Sequence, residues 1–187
     1  MRAKVVAFVA MMGALGNALF ALSQSLFTIG QVALDLSHVA TFISAIFGGP
    51  LLGGVVGILV GLGTGLYFGF IGGSLGFLGL VGLPVGKALT GVTAGFLSRA
   101  LGEGDQPSSR RTALVVILSY VPECLFTAFF FLVLVPAFLP GDLAAFLASL
   151  LVPILVKAWI EIAFMAVLVG ALAGNKGFVD FIEGFLA

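Results

Sequence analysis

Six strongly apolar stretches run along the chain, at Lys4–Leu22, Leu36–Phe47, Leu51–Phe70, Phe77–Ser98, Thr112–Phe138 and Leu143–Leu172, separated by short polar or turn-forming segments. Crossing about 30 Å of hydrocarbon takes roughly 20 mostly apolar residues in a helix, because a helix satisfies its own backbone N–H and C=O groups where no water can. All six meet or approach that length, although the second is short. Gly48-Gly49-Pro50 turns it directly into the third, so it is expected inside the bundle, buried by other helices. The fifth and sixth are long enough to tilt. The pattern predicts an all-α integral membrane protein: one six-helix transmembrane domain over residues 1–187, ending in a short interfacial tail at 175–187. In that tail Phe178, Val179, Phe181, Ile182, Phe185 and Leu186 share one helical side and Asp180 and Glu183 the other, as in a helix lying on a membrane surface.

Small residues follow helical spacing. Ala3, Ala7, Ala10, Ala14, Ala18 and Ala21 form a continuous stripe on the first span, smooth enough for another helix to dock closely. That helix belongs either to the same bundle or to a separate membrane subunit. Gly53, Gly57, Gly61, Gly65, Gly69 and Gly73 recur every four residues along the third. Such a line weakens the helix that carries it, so tight packing by a neighbouring helix is expected.

Composition agrees with lipid as the solvent. The chain is 61% apolar and 9% charged, with a mean hydropathy of +1.29, whereas soluble domains carry about 25% charged residues. A soluble enzyme is excluded, and a net charge of zero leaves no basic field for nucleic acid. The lone Cys124 and the lone His38 cannot supply a clustered metal site. No Ser/His, paired-Asp or His/Glu catalytic pattern is present, so no catalytic residue, resident metal or cofactor is expected. Gly82-Leu83-Pro84-Val85-Gly86-Lys87 is not a phosphate-binding loop, because valine stands at 81 and alanine at 88. Any ATP-driven work belongs to another subunit.

Arg2 and Lys4 precede the first span, Arg99, Arg110 and Arg111 separate the fourth and fifth, and Lys176 follows the sixth; the intervening loops on the other side hold no lysine or arginine. This asymmetry puts both termini in the cytoplasm. The first apolar stretch is longer than a signal-peptide core, so it is expected to stay as a span.

Four charges lie deep inside spans: Lys87, Glu123, Lys157 and Glu161. Insertion scales put each at roughly 2.5–3.5 kcal/mol before pairing. One reading makes them structural clips, with Lys157 and Glu161 pairing at i, i+4 and Glu123 taking Lys87 as its partner. The other makes them the lining of a cavity. Tyr120, Glu123 and Thr127 share one face, and Pro84, Pro122 and Pro153 each closely precede a buried charge. Interrupted helices bearing polar groups near mid-depth mark solute sites in transporters. Asp35 and His38 stand at the outer start of the second span, either as cap and partner or as the rim of an outer pocket with Gln24, Ser25, Thr28 and Gln31. The even balance of the four deep charges suits a zwitterionic ligand, and the 19 phenylalanines also leave room for a neutral aromatic one.

The alanine stripe, the long outer loop closing on Leu34-Asp35-Leu36-Ser37-His38, and the turn Phe47-Gly48-Gly49-Pro50-Leu51-Leu52-Gly53-Gly54-Val55-Val56-Gly57 together resemble the S components of energy-coupling factor transporters. The resemblance is clearest over residues 1–100. It implies a multi-pass protein of a prokaryotic cell membrane that captures a vitamin or related micronutrient in a pocket near the outer face. It further implies docking through Ala3, Ala7, Ala10, Ala14 and Ala18 on a transmembrane coupling subunit driven by two cytosolic ATPase subunits. The pocket would draw on Lys87, Tyr120, Glu123, Lys157, Glu161 and Gln31. A stand-alone ion-coupled carrier and a structural or assembly protein of the envelope are the rival readings.

Overall fold

A computed structural model describes residues 2–26, 28–29, 32–33, 35–102 and 107–186. Its elements are α1 (Arg2–Leu26), a two-residue antiparallel pair β1 (Thr28–Ile29) and β2 (Val32–Ala33), α2 (His38–Gly48), α3 (Pro50–Leu66), α4 (Gly76–Ala100), α5 (Ser109–Ser119), α6 (Val121–Phe129), α7 (Val135–Phe138), α8 (Gly141–Ser149), α9 (Leu151–Ala173) and α10 (Lys176–Leu186). A π-helical turn at Tyr67–Ile71 prolongs α3, and another at Phe130–Leu134 joins α6 to α7. Among the described residues, five helical runs are long and apolar enough to cross a membrane: Ala3–Ser25, Pro50–Ile71, Gly76–Ala100, Ser109–Phe138 and Gly141–Ala173.

The second apolar stretch behaves differently. α2 has 11 residues, which at about 1.5 Å per residue reach roughly half of the hydrocarbon thickness. Every residue from His38 to Ile46 is buried, as expected for a short helix that survives because its neighbours enclose it. At its end Gly49 takes φ of +84°, a conformation that favours glycine. Pro50 then opens α3, where a missing N–H costs nothing.

α3 and α4 form the most intimate pair. A Cβ on Gly53 would meet the carbonyl of Gly91, one on Gly57 the backbone of Lys87 and Ala88, one on Gly61 the backbone of Pro84, and one on Gly65 the carbonyl of Gly79. The glycine line is therefore a seam of backbone against backbone. It explains one departure from expectation: α4 runs unbroken through Pro84, because α3 grips that segment where its own hydrogen-bond ladder is interrupted. The other two breaks form as expected. α5 stops before Tyr120 and α8 before Leu150, and Pro122 and Pro153 fall in the first turn of the helix that follows.

α1 buries Phe8, Gly13, Gly16, Phe20 and Ser23. Its Asn17 amide donates to the carbonyls of Gly13 at 2.9 Å and Leu59 at 3.1 Å, fastening α1 to α3. The alanine stripe turns the other way: Ala3, Ala7, Ala10, Ala14, Ala18 and Ala21 are all exposed. The bundle itself does not use this face. α10 packs Phe178 edge-on to Phe47 of α2 and Phe185 against Phe8 of α1, with Ile182 buried and Phe181 exposed.

Gly57→Leu is expected to destabilise the protein by about 3 kcal/mol or more, since the added side chain meets backbone that cannot give way. Gly184→Ala, with open space around its Cβ, is expected to leave stability unchanged or slightly raised. Thermal unfolding of the purified variants checks both.

Candidate functional site

Five elements deliver polar side chains to one place. The segment leading into α2 brings Asp35 and Ser37, the first turn of α2 brings His38, α4 brings Lys87 and Thr90, the α5–α6 junction brings Tyr120 and Glu123, and α9 brings Lys157 and Glu161. Lys87 stands at the centre. Its Nζ donates to Asp35 Oδ2 at 2.8 Å and Ser37 Oγ at 2.8 Å, and lies 3.1 Å from His38 Nδ1. His38 Nε2 lies 3.0 Å from Glu123 Oε2, and the Thr90 hydroxyl donates to the same carboxylate oxygen. Lys157 Nζ pairs with Glu161 Oε1 at 3.2 Å. That oxygen also accepts the backbone N–H of Asp35, which joins the two halves of the network.

The contacts fix the tautomer of His38. An ammonium only donates, so Nδ1 must offer its lone pair to Lys87. The ring proton then sits on Nε2, where it is donated to Glu123. Asp35 Oδ1 accepts the backbone N–H of Ser37 at 2.9 Å. The Leu36 N–H donates to Ser23 Oγ at 3.2 Å, tying this segment to the end of α1. Burial alone would push the Asp35 carboxyl up, but the charge of Lys87 and hydrogen bonds from Lys87 and Ser37 outweigh it and hold the group below the usual aspartate range.

This network forms one wall of a cavity of about 570 Å³, within the range of pockets that enclose a small organic molecule. Asp35, His38, Lys87, Tyr120, Glu123, Lys157 and Glu161 all line it, as does Thr127. The rest of the lining is largely aromatic and aliphatic, built by Phe68, Phe126, Phe130, Phe131 and Phe146 with Leu75, Leu83 and Leu147. Both π-helical turns contribute: one supplies Phe68, the other Phe130 and Phe131. Gly82 leaves the space that the Phe130 ring fills. Gly72, Gly73, Ser74 and Leu75 of the α3–α4 connection and Asp35 before α2 also line the cavity, in loops without lysine or arginine, whereas Lys87, Glu123 and Lys157 stand near the middle of their helical runs.

Of the residues singled out from sequence, seven are brought together here, and Gln31 lies outside the described residues. The Lys157–Glu161 pair forms as expected from its spacing. The expected Lys87–Glu123 pair does not: Lys87 takes Asp35, and Glu123 takes His38 and Thr90. Asp35 is not the cap of α2, since Ser37 holds that position without a side-chain cap bond, and His38 bonds Lys87 and Glu123 rather than Asp35. Ser25, a candidate rim residue, donates to its own Ala21 carbonyl. Trp159 lies outside the cavity but packs edge-on against Tyr120, ring centroids 5.2 Å apart. The aromatic wall, Ser37 and Thr90 were not singled out; Thr90 carried a faint signal, one turn from Lys87 on the same helix.

Lys87→Met should cost roughly 3–5 kcal/mol by leaving Asp35 buried without its cation. Adding Asp35→Asn to that variant should cost less than the sum of the two single changes, with a coupling of roughly 0.5–3 kcal/mol in a double-mutant cycle. Because folding lowers the Asp35 pKa, its contribution is intact at neutral pH. It fades as pH falls below the unfolded value of about 3.9, and Asp35→Asn should remove that part of the acid sensitivity in pH-dependent unfolding.

Comparisons of the chain with known protein families, with curated proteins and with solved structures find no match.

Proposed function

We propose that this protein is the solute-binding membrane subunit of an ATP-driven importer, an S component of the energy-coupling factor kind, that captures a vitamin-like small molecule. The observation that carries this reading is the cavity: a space of about 570 Å³ with one charged wall and one aromatic wall, inside a bundle whose long helices are built for lipid. Charges serving only as clips would need no void beside them, since lipid-embedded helices gain stability by close packing.

In this reading α2 is a half-depth span that brings the count to six, both termini are cytoplasmic, and the cavity faces the outside. The distribution of lysine and arginine supports that orientation. The solute enters between the loops at the outer end and meets Lys87, Glu123, Lys157 and Glu161 at its polar end. The chain carries no nucleotide-hydrolysing motif, so energy comes from two cytosolic ATPase subunits through a transmembrane coupling subunit. The exposed alanine face of α1 supports docking on such a subunit: close approach across small side chains drives helix pairing in lipid, and among the described residues no helix covers that face.

Two outcomes test the proposal. Ala10→Phe combined with Ala14→Phe adds bulk only on an exposed face, so the protein should fold normally yet lose at least about ninety per cent of the coupling and ATPase subunits recovered with it, as a 1.4 kcal/mol penalty already costs tenfold in binding. Glu123→Ala and Lys157→Ala should each weaken binding of the transported solute about tenfold or more in the purified protein. Uptake that persists without ATPase subunits but collapses with an uncoupler would overturn the assignment in favour of an ion-coupled carrier.

A further inference from the structure

We infer that the cavity takes a ligand carrying one net positive charge on an aromatic or apolar body, with its cationic head beside Glu123. This rests on the cavity being a solute site and goes beyond it by naming the solute's charge.

Three carboxylates line the cavity, Asp35, Glu123 and Glu161, against two ammonium groups, Lys87 and Lys157. Each lysine is committed. Lys87 pairs with Asp35 at 2.8 Å and Lys157 with Glu161 at 3.2 Å. Glu123 is held by His38 Nε2 at 3.0 Å and by the Thr90 hydroxyl. Among the described residues, no lysine or arginine nitrogen reaches it within ion-pair distance. His38 does not supply the missing charge, because its Nδ1 faces the Lys87 ammonium and must be unprotonated to accept from it. Protonating both ring nitrogens would set two cations against each other at 3.1 Å. The lining therefore carries one negative charge in excess, located on Glu123.

Deep in a lipid-embedded bundle, an unbalanced charge is strongly unfavourable and no mobile counter-ion cloud offsets it. A ligand cation restores neutrality; a ligand anion would have to seat itself against an uncompensated carboxylate. Asp35 changes the expectation drawn from sequence here. The four deep charges balance and suit a zwitterion, but the loop adds a fifth charge to the same wall, and it is acidic.

The body of the ligand follows from the helix that carries Glu123. Phe126 lies one turn further along α6, Phe130 a second turn beyond in the π-helical turn, and both line the cavity together with Phe146. A head at Glu123 thus places the remainder of the molecule between aromatic side chains, where flat apolar groups pack well.

Three probes of one skeleton and different charge test this on the full chain in detergent: 2-phenylethylammonium, 2-phenylethanol and phenylacetate. Trp159 is the single tryptophan of the chain and packs edge-on against Tyr120 of the cavity wall, so its fluorescence reads occupancy. The ammonium should bind about tenfold tighter than the alcohol, as expected for one charge-assisted hydrogen bond, and the carboxylate most weakly. Glu123→Gln should abolish that ranking while retaining the alcohol. Phenylacetate binding as tightly as the ammonium, or a cation preference that survives Glu123→Gln, overturns the inference and leaves the cavity a binding site of other specificity. The wild-type ranking alone decides if Glu123→Gln cannot be purified. Silence from all three probes overturns both the ligand charge and the cavity as a solute site, whereas the import assignment is judged separately by recovery of the ATPase subunits.

Discussion

The ammonium of Lys87 is the fixed point of this structure. It is buried in α4, with three polar partners that come from the segment entering α2. Without them the charge could not remain at that depth, because lipid offers neither water nor counter-ions. The requirement acts in both directions. Asp35, Ser37 and His38 must come to Lys87, which holds residues 35–37 against the bundle and sets where α2 begins. The short helix is held at its entrance by charge and along its length by burial on every side.

Two kinds of packing divide the molecule. Along α3 and α4, glycine on each helix meets backbone on the other, giving a seam that fixes the height and rotation of Lys87 relative to α2. Against that seam, α6 and the π-helical turn after it meet α4 through the Thr90–Glu123 hydrogen bond and the contact of Gly82 with Phe130, and α6, α8 and α9 border the cavity beside it. Their helical runs are broken at Tyr120 and Leu150 and loosened by a π-helical turn at Phe130–Leu134. Such interruptions carry unmet backbone groups and are tolerated at membrane depth only when protein or a polar cavity surrounds them. The tight half holds the charged anchor in place, and the interrupted half shapes the space beside it.

Much of this was legible in the sequence, for identifiable reasons. Span positions follow from long apolar runs, which leave little choice in lipid. The glycine line announced a closely packed neighbour because a spacing of four residues keeps successive glycines near one face, although Gly73 falls beyond the helix and takes no part. Lys157 and Glu161 pair as read because that contact lies within a single helix. Contacts between helices were less legible, since they depend on rotation and depth that a one-dimensional pattern does not encode. Glu123 was assigned Lys87 by charge alone, whereas the fold interposes His38. Asp35 reads locally as a cap, and only the tertiary fold brings it to Lys87. The aromatic wall left no trace because phenylalanine in an apolar helix offers no contrast with its neighbours. Pro84 suggested a break that the glycine seam suppresses.

The central claim is that the buried charges border a space made to be filled. Native mass spectrometry of the full chain, purified gently from cells that make it, measures this most directly. The account predicts one small organic molecule per chain, retained in mild detergent and lost when the charged wall is neutralised by Lys87→Met with Glu123→Gln. Chains that carry only lipid and detergent, with or without those substitutions, would contradict it and leave the charges as clips between helices.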